Sequence, residues 1–149
     1  MELQLGDKIP HFISIDANAK PFDIKDYLGK PLVIYFYPKD DTPGCTIQAC
    51  TFRDNYEEFK NLGAEVIGIS SDSLQSHQKF ASRYKLPFIL LSDFDKKIRK
   101  LFGVPNDFLG LIPGRATYVF DKNGIVQLIF DSASSKIHIQ KALEILKRM

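Results

Sequence analysis

Residues 35–54 read YFYPKDDTPGCTIQACTFRD, and the rest of the chain is best understood outward from this stretch. A hydrophobic run over 32–37 stops at Pro38, crosses an acidic turn, and gives way to Thr42-Pro43-Gly44-Cys45. Threonine is favoured as an N-cap, and proline at the first helical position, where the amide it lacks would be unpaired anyway. Counting from Thr42, Cys45 takes the third helical position, inside the first turn. There the unpaired amides and the positive end of the helix dipole favour a negative charge, so the reactive thiolate is stabilised. Cys45 is therefore a candidate nucleophile.

Cys50 lies five residues on. On a helix that separation is about 500° of turn and roughly 7.5 Å of rise, so the two side chains point about 140° apart. Their Cα atoms would be about 8–9 Å apart, beyond the roughly 7 Å limit for a disulfide. The pair can bond only if the helix opens. Gly44, Thr46, Cys50 and Thr51 are weak helix formers, together costing about 2–3 kcal/mol relative to alanine, so opening is affordable.

With these residues in place, the chain resembles a known family. The pattern Pro38-x-x-x-Thr42-x-x-Cys45 is similar to the active-site signature of peroxiredoxins. Cys50 at the +5 position, followed by Phe52-Arg53-Asp54, is similar to the BCP/PrxQ type, the atypical 2-Cys thiol peroxidases. The resemblance extends through GISSDS (68–73), LLSDFDKKIRKLFGV (90–104) and PGRATYVFDKNGIVQLIF (113–130), the last most like the cyanobacterial and chloroplast branch. It implies a thioredoxin-like fold and a peroxidase acting on hydrogen peroxide and organic hydroperoxides. It also implies a Cys45 sulfenic acid, resolved by Cys50 as an intramolecular disulfide and recycled by thioredoxin or a glutaredoxin-like dithiol. By the same resemblance Thr42, Arg115 and the backbone amides of Gly44 and Cys45 bind substrate, Pro38 shields the sulfur from water, and Gln48 helps orient Arg115. No metal, haem or flavin is implied.

Composition bounds the alternatives. At 149 residues the sequence suits one domain, 1–149. Net charge is +2, with 20 basic and 18 acidic residues and no large block of one sign, which gives nucleic-acid binding little footing. No apolar run approaches the roughly 18 residues of a membrane span. The first residues, MELQLGDKIPHF, carry no signal-peptide pattern. The expectation is a cytoplasmic monomer, or a plastid protein if a transit peptide was removed. Two cysteines are too few for a disulfide scaffold, and His11, His77 and His138 are too scattered for a zinc site.

Along the chain, a short strand near 12–15 and a helical piece near 24–28 precede a central strand at 32–37, whose unbroken apolar run suits burial on both faces. A helix over 43–62 ends at Gly63. Then come a strand (64–70), a helix (74–84), a strand (88–92), a helix (95–102), and strands 116–121 and 125–131 joined by Lys122-Asn123-Gly124, whose Asn-Gly is a hairpin signal. A last helix spans about 135–147. This order predicts an α/β fold with a central mixed sheet flanked by helices on both faces. Arg53 with Glu57 reads as an i,i+4 pair, and Lys96-Lys97-Ile98-Arg99-Lys100 as a solvated helix face. The loop 105–114, with Phe108, Leu109, Leu111 and Ile112, reads as a flap, a docking surface for the reductant, or core cover.

Ionisation alone does not make a fast peroxidase. A free thiol is a few per cent ionised at pH 7, so full ionisation gains about 30-fold, and the accompanying loss of nucleophilicity gives most of that back. The rate must come from donors that hold the peroxide in line and stabilise charge on the leaving oxygen. Two other readings remain open: a protein-disulfide oxidoreductase, although thioredoxin's C-x-x-C is absent, and a non-catalytic redox sensor.

Overall fold

The computed structural model describes residues 2–107 and 112–149, with backbone alone at 106–107 and 112–113. A hairpin of β1 (Ile13–Ile15) and β2 (Pro21–Asp23) leads through a 3-10 turn at Ile24–Tyr27 into β3 (Leu32–Phe36). Then follow α1 (Pro43–Asp54), α2 (Tyr56–Asn61), β4 (Glu65–Ser70), α3 (Leu74–Tyr84), β5 (Ile89–Ser92) and α4 (Lys97–Phe102). A short antiparallel pair, β6 (Asn106–Asp107) with β7 (Ile112–Pro113), precedes β8 (Ala116–Phe120), β9 (Val126–Asp131) and α5 (Ile137–Arg148).

The main sheet has the order β5-β4-β3-β8-β9. β3, β4 and β5 are parallel, while β8 runs antiparallel to β3 and β9 antiparallel to β8. This is the mixed sheet the element order predicts. Every residue of β3 is buried, and its side chains alternate between two cores. Val33 and Tyr35 join Ala49 and Phe52 of α1, Phe59 of α2, Phe80 of α3 and Ile139 and Ala142 of α5. Leu32, Ile34 and Phe36 face Phe12, Phe22 and Ile24 of the N-terminal segment and Ile98 and Phe102 of α4. Crossovers of one hand that step the same way along a sheet put their helices on one face, so α1 and α3 share a side. Helices flank both faces, unevenly. Tyr35 needs its room: a Cβ on Gly68 would lie 2.8 Å from the Tyr35 ring and 2.9 Å from Leu90.

Three details depart from the sequence reading. The helix expected over 43–62 breaks at Asn55, whose side-chain amide donates to the Thr51 carbonyl at 2.8 Å while its own carbonyl accepts from Glu58 and Phe59. Asparagine competes with the helix in this way, ending one and starting another. The break removes the i,i+4 register of Arg53 and Glu57. Arg53 instead pairs with Asp54 and donates to the Tyr84 carbonyl at 2.7 Å. In α4 the lysines are exposed but Arg99 is buried, donating to the Gly114 carbonyl at 2.9 Å with its guanidinium over the Phe36 ring. The β8–β9 turn has positive φ only at Gly124, and Asp121 accepts from the amides of Asn123 and Ile125. It is a three-residue loop over Lys122-Asn123-Gly124, as the sequence reading has it, with glycine in the left-handed position. Of the loop 105–114, Phe108, Leu109 and Leu111 lie outside the described residues, and Ile112 is described by backbone alone.

Candidate active site

β3 delivers the chain to the end of the sheet, where Tyr37 N–H donates to the Ile69 carbonyl at 3.1 Å. Pro38, half-buried, has no amide to extend the ladder. Asp40 then turns inward. Its buried carboxylate accepts from Tyr37 Oη at 2.5 Å and Ser76 Oγ at 2.8 Å, and lies 2.6 Å from His77 Nδ1. His77 Nε2 faces the Leu91 carbonyl at 2.9 Å, so both ring nitrogens meet acceptors. The Asp40 amide donates to Asp72 Oδ2 at 2.8 Å, which also accepts from Ser70 Oγ at 2.6 Å. The loop after β3 is thus tied to β4, α3 and β5 at once. Ligand atoms of Asp40, Asp72 and His77 lie within 4.8 Å of one another. Each residue already serves this network, so a metal would have to displace those hydrogen bonds.

Asp41 takes the left-handed conformation, and Thr42 follows as the N-cap in extended conformation, with Pro43 opening α1 as expected. The Thr42 hydroxyl makes no cap. It donates to the Lys39 carbonyl at 2.9 Å, so neither of the roles expected for it is formed, and its proton must turn away from Lys39 to meet a substrate.

Cys45 is 2% exposed in the first turn of α1. Arg115, buried just ahead of β8, donates from Nη2 to Cys45 Sγ at 3.4 Å and from Nη1 to Gln48 Oε1. Gln48, one turn beyond Cys45, is fully buried, and its Nε2 has no hydrogen-bond partner among the described residues. A Cβ on Gly44 would come 3.1 Å from Arg115 Nη2 and 3.3 Å from Ser135 Oγ, so glycine lets the guanidinium approach the helix start. Cys50 is half-buried on the same helix, and both cysteines are free thiols. The arrangement places a sulfur beside a fixed cation, a helix N-terminus and main-chain amides, donors suited to an oxyanion next to it.

The pattern of the AhpC/TSA family matches residues 5–129. The chain belongs to the AhpC/TSA family. Peroxiredoxin Q, chloroplastic, of Sedum lineare is 52% identical over 145 residues, covering 97% of this chain and 78% of that one. Among solved structures, peroxidoxin BcpB of Mycobacterium tuberculosis superposes with a TM-score of 0.91 at 34% identity, over 99% of both chains. The bacterioferritin comigratory protein of Xanthomonas campestris, described for alkyl peroxide reduction, gives 0.85 at 30% identity over 92% and 90%. The chain is thus a peroxiredoxin of the BCP/PrxQ type with the thioredoxin-like fold, a thiol peroxidase and an oxidoreductase. No helix among the described residues is long and apolar enough to cross a membrane.

Sequence reasoning overlooked part of this peroxiredoxin's site. Asp40 read as one residue of an acidic turn and His77 as one of three scattered histidines, yet they meet across 37 positions. His138 supports the other side: Nε2 lies 2.7 Å from the Ser132 carbonyl and Nδ1 2.8 Å from Thr117 Oγ1, tying α5 to the strand behind Arg115. A carbonyl can only accept, so Nε2 carries the proton and Nδ1 accepts from threonine. Burial first, and the nearby Arg115 charge, push this histidine down to about 4, while the Ser132 bond opposes them.

Proposed function

We propose that Cys45 is the peroxidatic nucleophile and Cys50 the resolving thiol of a monomeric single-domain enzyme spanning 1–149. The Cys45 thiolate attacks one oxygen of the peroxide, the O–O bond breaks, and water or an alcohol leaves once the departing oxygen takes a proton. Arg115 and the amides of Gly44 and Cys45 hold the peroxide and stabilise that oxygen. Thr42 joins them once its hydroxyl leaves Lys39, and Pro38 keeps water from the sulfur. Gln48 fixes the guanidinium. When α1 opens, Cys50 condenses with the sulfenic acid, and a thioredoxin-type dithiol reduces the disulfide. The observation that carries this reading is the Arg115–Cys45 contact at the mouth of α1.

Hydrogen peroxide and organic hydroperoxides are both proposed substrates. For compartment, the chloroplastic relative favours the plastid over the cytoplasm. The test is peroxide-dependent NADPH consumption with thioredoxin and thioredoxin reductase, alongside Cys45→Ser and Cys50→Ser. Turnover should vanish in both variants, with one sulfenate equivalent still forming in Cys50→Ser. Full activity in Cys45→Ser would refute the assignment.

A further inference from the structure

Both ends of α1, which carries the two cysteines, are tied to the last turn of α3. At the front, Asp41 has φ +57°, a conformation uncommon outside glycine. Its carboxylate accepts from Arg83 Nη1 at 2.8 Å and from Tyr84 Oη at 2.9 Å. The Arg83 guanidinium also lies over the Tyr84 ring, 5.3 Å from its centroid. That hydrogen bond from the phenol to Asp41 is the main cause holding Tyr84 above the usual tyrosine range. At the back, Arg53 Nη1 reaches the Tyr84 carbonyl at 2.7 Å. Cys45 and Cys50 lie between the two ties.

The ties are unequal. The side chains of Arg83 and Asp41 are 66% and 42% exposed, the class of ion pair whose contribution is small and easily lost. Arg53 is 34% exposed and gives a charge-assisted bond to a main-chain oxygen. The front tie therefore yields first, and it sits where the helix must unwind for the two sulfurs to meet.

We propose that Arg83 and Tyr84 are positioning residues that latch the start of α1 and so set how fast Cys50 captures oxidised Cys45. This rests on the roles proposed above for the two cysteines. While the latch holds, the Cys45 sulfenic acid faces a second peroxide, which transfers one oxygen to sulfur, releases water or alcohol, and leaves a sulfinic acid that a thiol does not reverse. When it opens, the Cys50 sulfur attacks the Cys45 sulfur. The S–S bond forms, the S–O bond breaks, and the hydroxyl leaves as water with the thiol proton. The latch thereby divides the enzyme between recycling and inactivation.

The test is a rapid-quench single turnover on the full chain with hydrogen peroxide, read by mass spectrometry, for wild type, Arg83→Ala, Tyr84→Phe and Arg83→Lys. Sulfenate should form at the wild-type rate in all four. Disulfide should form roughly two- to five-fold faster in Arg83→Ala and Tyr84→Phe, the scale of an exposed ion pair, with proportionally less sulfinate at high peroxide. Arg83→Lys should fall back toward wild type. Wild-type or slower disulfide formation in both Arg83→Ala and Tyr84→Phe overturns the latch alone. Failure of wild type to form the Cys45–Cys50 bond overturns the cysteine roles and the latch with them.

Discussion

A guanidinium 3.4 Å from a buried sulfur is the smallest unit on which the chemistry depends. Its value lies in shape as well as charge, because one nitrogen holds Gln48 while the other faces Cys45. Lysine would keep the charge and lose the fork. Arg115→Ala should therefore lower kcat/KM by roughly 10²–10³-fold, the usual cost of one oxyanion donor, with Arg115→Lys recovering only part of it. Initial rates in the coupled assay check this, and a lysine variant at wild-type efficiency would show that charge alone suffices. Cys45 was legible from its neighbours in sequence because the N-cap, proline and glycine are local. Arg115 was legible only through family resemblance, since nothing near it announces a partner 70 positions away.

At the scale of elements, α1 is held in place by polar groups buried around the loop that precedes it. Asp40 receives Tyr37, Ser76 and His77, linking the end of β3 to α3. An asparagine there turns an amide toward the Tyr37 and Ser76 hydroxyls, and a buried donor left unpaired costs on the order of 1–3 kcal/mol. Asp40→Asn should lower the urea midpoint accordingly at pH 7 and slow sulfenate formation by displacing Thr42 and Cys45. A midpoint within about 0.5 kcal/mol of wild type would count against the loop's dependence on this network. Strand and helix order was readable because hydrophobic period and glycine or proline stops are short-range signals. The break at Asn55 and the burial of Arg99 were not, because each depends on which carbonyl happens to lie within reach.

Across the whole molecule, the two cores on either face of β3 fix the sheet, and α5 closes the face that carries α1. Its histidine makes that closure sensitive to acid. His138 titrates at about 4 in the folded chain against 6.5 for the free side chain, so between those values the unfolded state binds more protons. Stability conferred by the neutral ring is present above about pH 6.5 and is lost as pH falls toward 4, by about 3 kcal/mol at most. Asp93, raised chiefly by burial, works in the opposite sense at lower pH. Urea midpoints at pH 7.5 and 5 should differ more in wild type than in His138→Gln, and equal slopes would refute the assignment. The central claim is that one sulfur takes the oxygen and its neighbour, five positions on, takes the sulfur. Peptide mapping after one equivalent of hydrogen peroxide tests it most directly. Wild type should yield a peptide joined through Cys45 and Cys50, and Cys50→Ser a single added oxygen on Cys45; an oxygen on Cys50, or no joined peptide, would contradict these roles.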